Sequence, residues 1–251
     1  MKILELKNIV KYLNWNKILS HVSFEVEKWD IYGFLWPNWA WKTTTMKCIM
    51  WLINPEEWEI KIFWEDWITL EAKKKIWFMP ENTYLYKHLT WKEFLKFNWK
   101  FFDIKNDELE KRVNKLLKKV WLEKAWDKRL SDYSKWMLQR IWLAQSIINE
   151  PKLLFLDEPM SWLDPIWRKM VKDLLLELKE EWTTIFFNTH ILADAEKMCN
   201  KISIIHKWKI IVESKNIKDI NEDLEKFFIE NIEKTNHKNE HKEIEEKKEI
   251  R

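Results

Sequence analysis

Glycine is nearly absent. The 251-residue chain holds one, Gly33, where average usage of about 7% predicts roughly 18. Cysteine is scarce: Cys48 and Cys199 exclude a disulfide framework and suit a reducing cytosol. No apolar run approaches the roughly 18–20 residues that a membrane-spanning helix needs. The opening Met1-Lys2-Ile3-Leu4-Glu5-Leu6-Lys7 carries charge throughout, which does not fit a signal peptide. Neither sign of charge dominates. The 44 basic and 41 acidic residues leave +3, against a strongly basic nucleic-acid binder and against a polyacidic tail. The length allows one large domain or two small ones.

What fills the gap is tryptophan. There are 20, and with the single Gly they make 21, close to the glycine count expected. A large apolar residue should recur on core faces at helix or strand spacing. These do not. Trp29 stands between Lys28 and Asp30, Trp58 follows Glu56-Glu57, and Trp64 and Trp67 bracket Glu65-Asp66. Trp182 follows Glu180-Glu181, and Trp208 splits two apolar runs between Lys207 and Lys209. Turns and helix C-caps belong at such places, where Gly takes positive φ without steric cost. The codon UGA means stop in the standard code, Trp in some bacteria and Gly in a few others. A gene using UGA for Gly, translated under the wrong table, would give this pattern, with nearly every Trp standing for Gly. The abundance of Lys, Ile and Asn suits an AT-rich gene.

Residues 1–35 read as strands, with Val22, Phe24 and Val26 alternating with polar neighbours. Helix is expected over Lys42–Met50, short strands and turns over 58–79, and helices from about 91 to 150. In 107–122, Leu109, Val113, Leu116, Leu117 and Val120 form one apolar face, with a basic face opposite that reads as solvated. Strand and helix then alternate over 153–156, 165–181, 183–188 and 191–199. This implies an α/β domain with a largely parallel core sheet. Residues 231–251 hold 12 charged side chains among 21 and read as a charged, mobile tail.

Ile31–Leu35 runs into Trp36-Pro37-Asn38-Trp39-Ala40-Trp41-Lys42-Thr43-Thr44. With Gly at 36, 39 and 41 this is G-x-x-x-x-G-K-[ST] between a strand and a helix. Glycines let backbone N–H groups turn toward phosphates, and the helix start adds partial positive charge. Lys42 would reach the β- and γ-phosphates, and the Thr43 hydroxyl would bind Mg²⁺. Further on, Leu153-Leu154-Phe155-Leu156 ends in Asp157-Glu158-Pro159. An apolar strand thereby delivers two carboxylates to a sheet edge, one for Mg²⁺ and one to polarise water. Tyr133-Ser134-Lys135-Trp136-Met137-Leu138-Gln139-Arg140 opens a helix. Ser161-Trp162-Leu163-Asp164 and Asn188-Thr189-His190 follow.

Taken together, in order and spacing, these motifs resemble the ATP-binding cassette family, specifically the nucleotide-binding subunits of ABC transporters. The resemblance covers about residues 2–215. It implies a P-loop NTPase fold of α/β class: a mixed sheet core, an antiparallel β subdomain and a helical subdomain at about 85–150. Residues 216–230 would be a C-terminal extension. By similarity, Tyr12 stacks on adenine, residues 36–44 are the Walker A loop, and Glu81 takes the Q-loop position. Ser134, Lys135, Trp136 and Met137 lie in the signature motif. Asp157 and Glu158 are the Walker B pair, Asp164 belongs to the D-loop, and His190 is the switch histidine.

The chain departs from the family where L-S-G-G-Q is replaced by Tyr133, Lys135 and Met137 at its first, third and fifth residues, and where the Q-loop Gln is Glu81. Both variants resemble exporter-type cassettes that pair with separate membrane subunits. The resemblance implies ATP and Mg²⁺ as ligands and a second cassette in a head-to-tail dimer. It also implies a membrane permease as partner, no nucleic acid, and a place on the cytoplasmic face of the membrane. A soluble cassette acting on ribosomes or DNA is the alternative. Tandem cassettes or a long coiled-coil insertion would mark it, and neither is present. Literal tryptophans would make an inert protein.

Overall fold

The computed structural model describes residues 1–37, 42–66, 69–82, 85–99, 105–125, 127–161 and 163–249, with backbone alone at 42, 99, 106 and 239–249. The chain forms two compact units, residues 1–66 with 188–251, and residues 67–187.

The first unit begins with two long strands, β1 (Lys2–Leu13) and β2 (Asn16–Glu27), then β3 (Ile31–Leu35) and helix α1 (Lys42–Ile49). Strand β4 (Glu57–Ile62) completes an antiparallel sheet in the order β2-β1-β4. Strand β3 is buried along its whole length. Its Phe34 and Tyr32 pack on Phe24 of β2 at 5.4 and 5.6 Å between ring centroids. Each such ring removed from water contributes about 1.5–3 kcal/mol. The Tyr32 hydroxyl shares hydrogen bonds with Ser203 Oγ at 2.6 Å and Ser214 Oγ at 2.9 Å. Burial pushes its pKa up to about 12.

The second unit opens with α2 (Leu70–Lys74) and β5 (Ile76–Met79), then α3 (Trp91–Trp99), α4 (Asn106–Lys119) and α5 (Lys135–Ile147). Strand β6 (Leu153–Asp157), helix α6 (Pro165–Glu180) and strand β7 (Thr184–Thr189), whose last two residues belong to the first unit, close it. Strands β5 and β6 are parallel. All five residues of β6 are buried, the apolar run expected of an interior parallel strand. The expected face of α4 is buried: Leu109, Val113, Leu116, Leu117 and, at its C-cap, Val120. Helix α2 was not expected. Thr69 caps it, its Oγ1 accepting from the Ala72 N–H at 3.1 Å.

The chain then returns to the first unit through α7 (Leu192–Met198), β8 (Lys201–His206), β9 (Lys209–Asn216) and α8 (Leu224–Glu249). Strand β8 runs parallel to β3 and antiparallel to β9, so this sheet is mixed. The segment read from sequence as a tail from residue 231 is helical as far as Glu249. His206 Nε2 lies 2.9 Å from Asn236 Oδ1 and ties the helix to β8.

The turns carry the tryptophans. Among the described residues, seven of them have φ between 55° and 71°: Trp15, Trp29, Trp51, Trp64, Trp121, Trp182 and Trp208. Three occupy the second place of two-residue turns whose residues both have positive φ: Asn14-Trp15, Phe63-Trp64 and Lys207-Trp208. That is the type I′ hairpin turn, whose preferred second residue is Gly. Three more follow helix ends. After α4, Trp121 N–H donates to Lys118 O at 3.1 Å and Leu122 N–H to Leu117 O at 2.9 Å. After α6, Trp182 N–H donates to Lys179 O and Thr183 N–H to Leu178 O, both at 3.0 Å. After α1, Trp51 N–H donates to Cys48 O at 3.0 Å and Leu52 N–H to Lys47 O at 2.9 Å. Each pair of bonds is a Schellman motif, and each Trp holds the place Gly normally fills. A side chain there costs roughly 1–2 kcal/mol. Trp58 differs from the sequence expectation, since it lies inside β4 with its ring against Trp51.

Candidate functional site

In the first unit, β3 feeds the segment that leads into α1. Trp36 is buried at its start, its ring edge-on to Phe34 at 5.9 Å, and Pro37 follows, exposed. Asn38, Trp39, Ala40 and Trp41 lie outside the described residues. Helix α1 starts at Lys42, so Lys42, Thr43 and Thr44 occupy its first turn. Thr43 and Thr44 are part-buried. The side-chain amide of Asn188, at the end of β7, donates to Met46 Sδ at 3.6 Å. His190 follows two residues on, exposed.

Tyr12 sits near the β1–β2 turn, 40% exposed. Its N–H donates to Glu56 Oε2 at 2.8 Å. Lys11 Nζ holds Glu56 Oε1 at 2.8 Å and Asn54 O at 2.7 Å. Desolvation pushes the Glu56 carboxyl up, but the hydrogen bonds from Lys11 and the Tyr12 N–H outweigh it and hold it below the ordinary glutamate range. Lys17 Nζ lies over the Tyr12 ring, 5.4 Å from its centroid.

In the second unit, β6 delivers Asp157 and Glu158, which are 1% and 2% exposed. Glu158 takes φ 52°, turning the chain as the strand ends. Its carboxylate accepts a hydrogen bond from Ser161 Oγ at 3.0 Å. Asp164 caps α6, its Oδ1 accepting from Ile166 N–H at 2.9 Å and Trp167 N–H at 3.1 Å. Ser134 caps α5 by accepting from Met137 N–H at 3.3 Å. Lys135 and Trp136 are exposed at that helix start, and Met137 is part-buried. Gln139 Nε2 donates to Pro159 O at 3.3 Å, joining the signature helix to the turn after β6. Glu81 lies part-buried in the bend that follows β5.

Two features explain what the sequence motifs alone did not. Tyr133, at the first signature position, is buried and donates its hydroxyl hydrogen to Ala125 O, so the aromatic substitution serves packing. Ser161 supports Glu158, a role that its place three residues after the acid could have suggested. Lys11, Lys17 and Glu56 had no linear signal beyond the hairpin turn. Reading Asn14-Trp15 as Asn-Gly would have fixed the register that pairs Tyr12 with Lys17.

Thr43 and Asp157 offer a hydroxyl and a carboxylate, oxygen donors of the kind Mg²⁺ prefers. Among the described residues no group of three His, Cys, Asp or Glu could cage a metal. Each oxygen alone suits an ion that takes most of its ligands from water or phosphate.

With this arrangement in view, the comparisons with known proteins agree. The ABC transporter family profile matches residues 19–161. An uncharacterized ABC transporter ATP-binding protein of Synechocystis sp. is 38% identical over 195 residues, 77% of this chain and 55% of that protein. The bacitracin transport ATP-binding protein BcrA of Bacillus licheniformis is 34% identical over 214 residues, 84% of this chain and 69% of BcrA. A solved ATP-binding subunit of an ABC transporter superposes with a TM-score of 0.83 at 26% identity, covering 91% of this chain and 99% of the other. The chain belongs to the ABC transporter family, as one of its ATP-binding cassettes. It spans little more than half the length of its Synechocystis relative. Among the described residues no helix is long and apolar enough to cross a membrane.

Proposed function

We propose that the chain is the ATP-binding and ATP-hydrolysing subunit of an exporter-type ABC transporter, working at the cytoplasmic face of a membrane with a separate permease. The observation that carries the proposal is the end of β6, where a buried strand presents Asp157 and Glu158 and Ser161 holds the Glu158 carboxylate at 3.0 Å. Tyr12 stacks on adenine. Residues 36–44 wrap the phosphates, with Lys42 on the β- and γ-phosphates. Thr43 and Asp157 would hold Mg²⁺, which would neutralise charge on those phosphates. Glu158 accepts the proton of the attacking water, and His190 holds the γ-phosphate and that water. Ser134, Lys135, the backbone at 136 and Met137 cover the nucleotide of a second cassette, with Asp164 between the two. Glu81 stands where the family's Q-loop meets the permease. The Glu81 and signature variants support an exporter, and the likeness to BcrA, a bacitracin transport ATP-binding protein, supports a transport role.

The same reading includes glycine in place of nearly every tryptophan. Seven Trp at positive φ, in type I′ turns, Schellman motifs and the turn at Trp29, support it. So do Trp91 and Trp142, whose indole N–H groups are buried without a partner among the described residues. An unpaired buried donor costs about 1–3 kcal/mol. In the phosphate loop, indoles at 36, 39 and 41 would stand where backbone must approach phosphate.

The test is ATP hydrolysis by the glycine-restored chain. Turnover is expected there and absent from the literal chain. Lys42→Ala should weaken MgATP binding. Glu158→Gln should keep binding and lose about 10²–10⁴-fold in turnover. Parental turnover by Glu158→Gln would remove Glu158 as the base.

A further inference from the structure

We infer that Lys17 is a positioning residue for nucleotide recognition, holding the Tyr12 ring as a stacking platform with one covered and one open face; this rests on the reading of Tyr12 as the adenine contact. The two-residue turn at Asn14-Trp15 fixes the register of the hairpin, pairing Leu13 with Asn16 and Tyr12 with Lys17. Directly opposed residues on an antiparallel pair project to the same face. Lys17 Nζ accordingly lies 5.4 Å from the Tyr12 centroid, within cation–π range.

The backbone beneath the ring is fixed independently. Glu56 takes the Tyr12 N–H on one carboxylate oxygen and Lys11 on the other, and its own N–H donates to Val10 O at 2.9 Å. Lys11 reaches on to Asn54 O, in the segment that leaves α1. The platform is therefore tied to the helix that carries Lys42 at its start. Main chain and ring are both set before a base arrives, so ordering that would otherwise cost free energy on binding is already done.

Lys17→Met keeps the aliphatic stem and removes the charge. In the glycine-restored chain it should raise the KM for ATP about two- to fivefold, the range of an exposed cation–π contact, with kcat unchanged. Lys17→Arg should restore the parental KM. Inhibition by inorganic tripolyphosphate, which carries no base, should be the same in Lys17→Met as in the parent. Tyr12→Ala should raise KM about tenfold, and Lys17→Met should then add nothing. An equal loss of tripolyphosphate affinity would make Lys17 a plain phosphate attractor and overturn the inference. So would additive effects of the two substitutions. An unchanged KM in Tyr12→Ala would sink the adenine assignment itself, while a parental KM in Lys17→Met beside a raised one in Tyr12→Ala would sink the role of Lys17 alone.

Discussion

Gly33 is the one glycine in the sequence, and its surroundings differ from those of the turns. Its φ is not positive. A Cβ there would sit 2.7 Å from Cys199 Sγ and 3.2 Å from Ile202 Cγ2, inside the fully buried β3. Both neighbours are core groups with little room to give. Gly33→Ala should therefore destabilise the protein by about 1–3 kcal/mol, the usual cost of overpacking. Urea unfolding would read this as a lowered midpoint with an unchanged slope. A midpoint within error of the parent would mean that Cys199 moves aside freely. At this scale the sequence offered Lys42, Asp157, Glu158 and His190 as candidates, because their motifs are local. It could not bring Lys17 and Glu56 to Tyr12, a contact that arises only once strands pair.

At the scale of elements, patterns that depend on periodicity were legible. The apolar stripe of α4 and the buried run of β6 folded as read. So did the break at Trp208 that separates β8 from β9. Helix α2 was hidden because a five-residue helix is too short to show a period. Its cue was the Thr69 cap. Punctuation was the weak point: with Trp written at the turns, the usual Gly signals for hairpins and C-caps vanish from the text. The geometry restores them, and predicts the sign of a substitution. Trp182 is 60% exposed with φ 71° at the end of α6. Trp182→Gly in the literal chain should raise stability by about 1 kcal/mol, because strain is relieved and little burial is lost. Trp182→Ala should give no such gain, since alanine keeps the Cβ that left-handed φ disfavours. Equal effects from both would show that indole exposure, not backbone conformation, sets the cost.

For the whole molecule, the proposed mechanism completes the site only with a second cassette. In the proposed cycle hydrolysis reopens the dimer. The glycine-restored Glu158→Gln chain should accumulate as a dimer when MgATP is present, while the parent returns to monomer. Sizing with and without MgATP would show the shift. Loss of turnover without dimerisation would overturn the shared site and leave the base assignment standing.

The residues that occupy the turns and the phosphate loop of the native protein decide whether the chain can receive ATP. The most direct measurement is peptide sequencing by mass spectrometry on the protein purified from its own source, across residues 28–47 and the helix ends at 51, 121 and 182. Glycine at 29, 36, 39, 41, 51, 121 and 182 is the predicted result. Tryptophan at those positions would contradict it and leave a chain whose loop could not receive ATP.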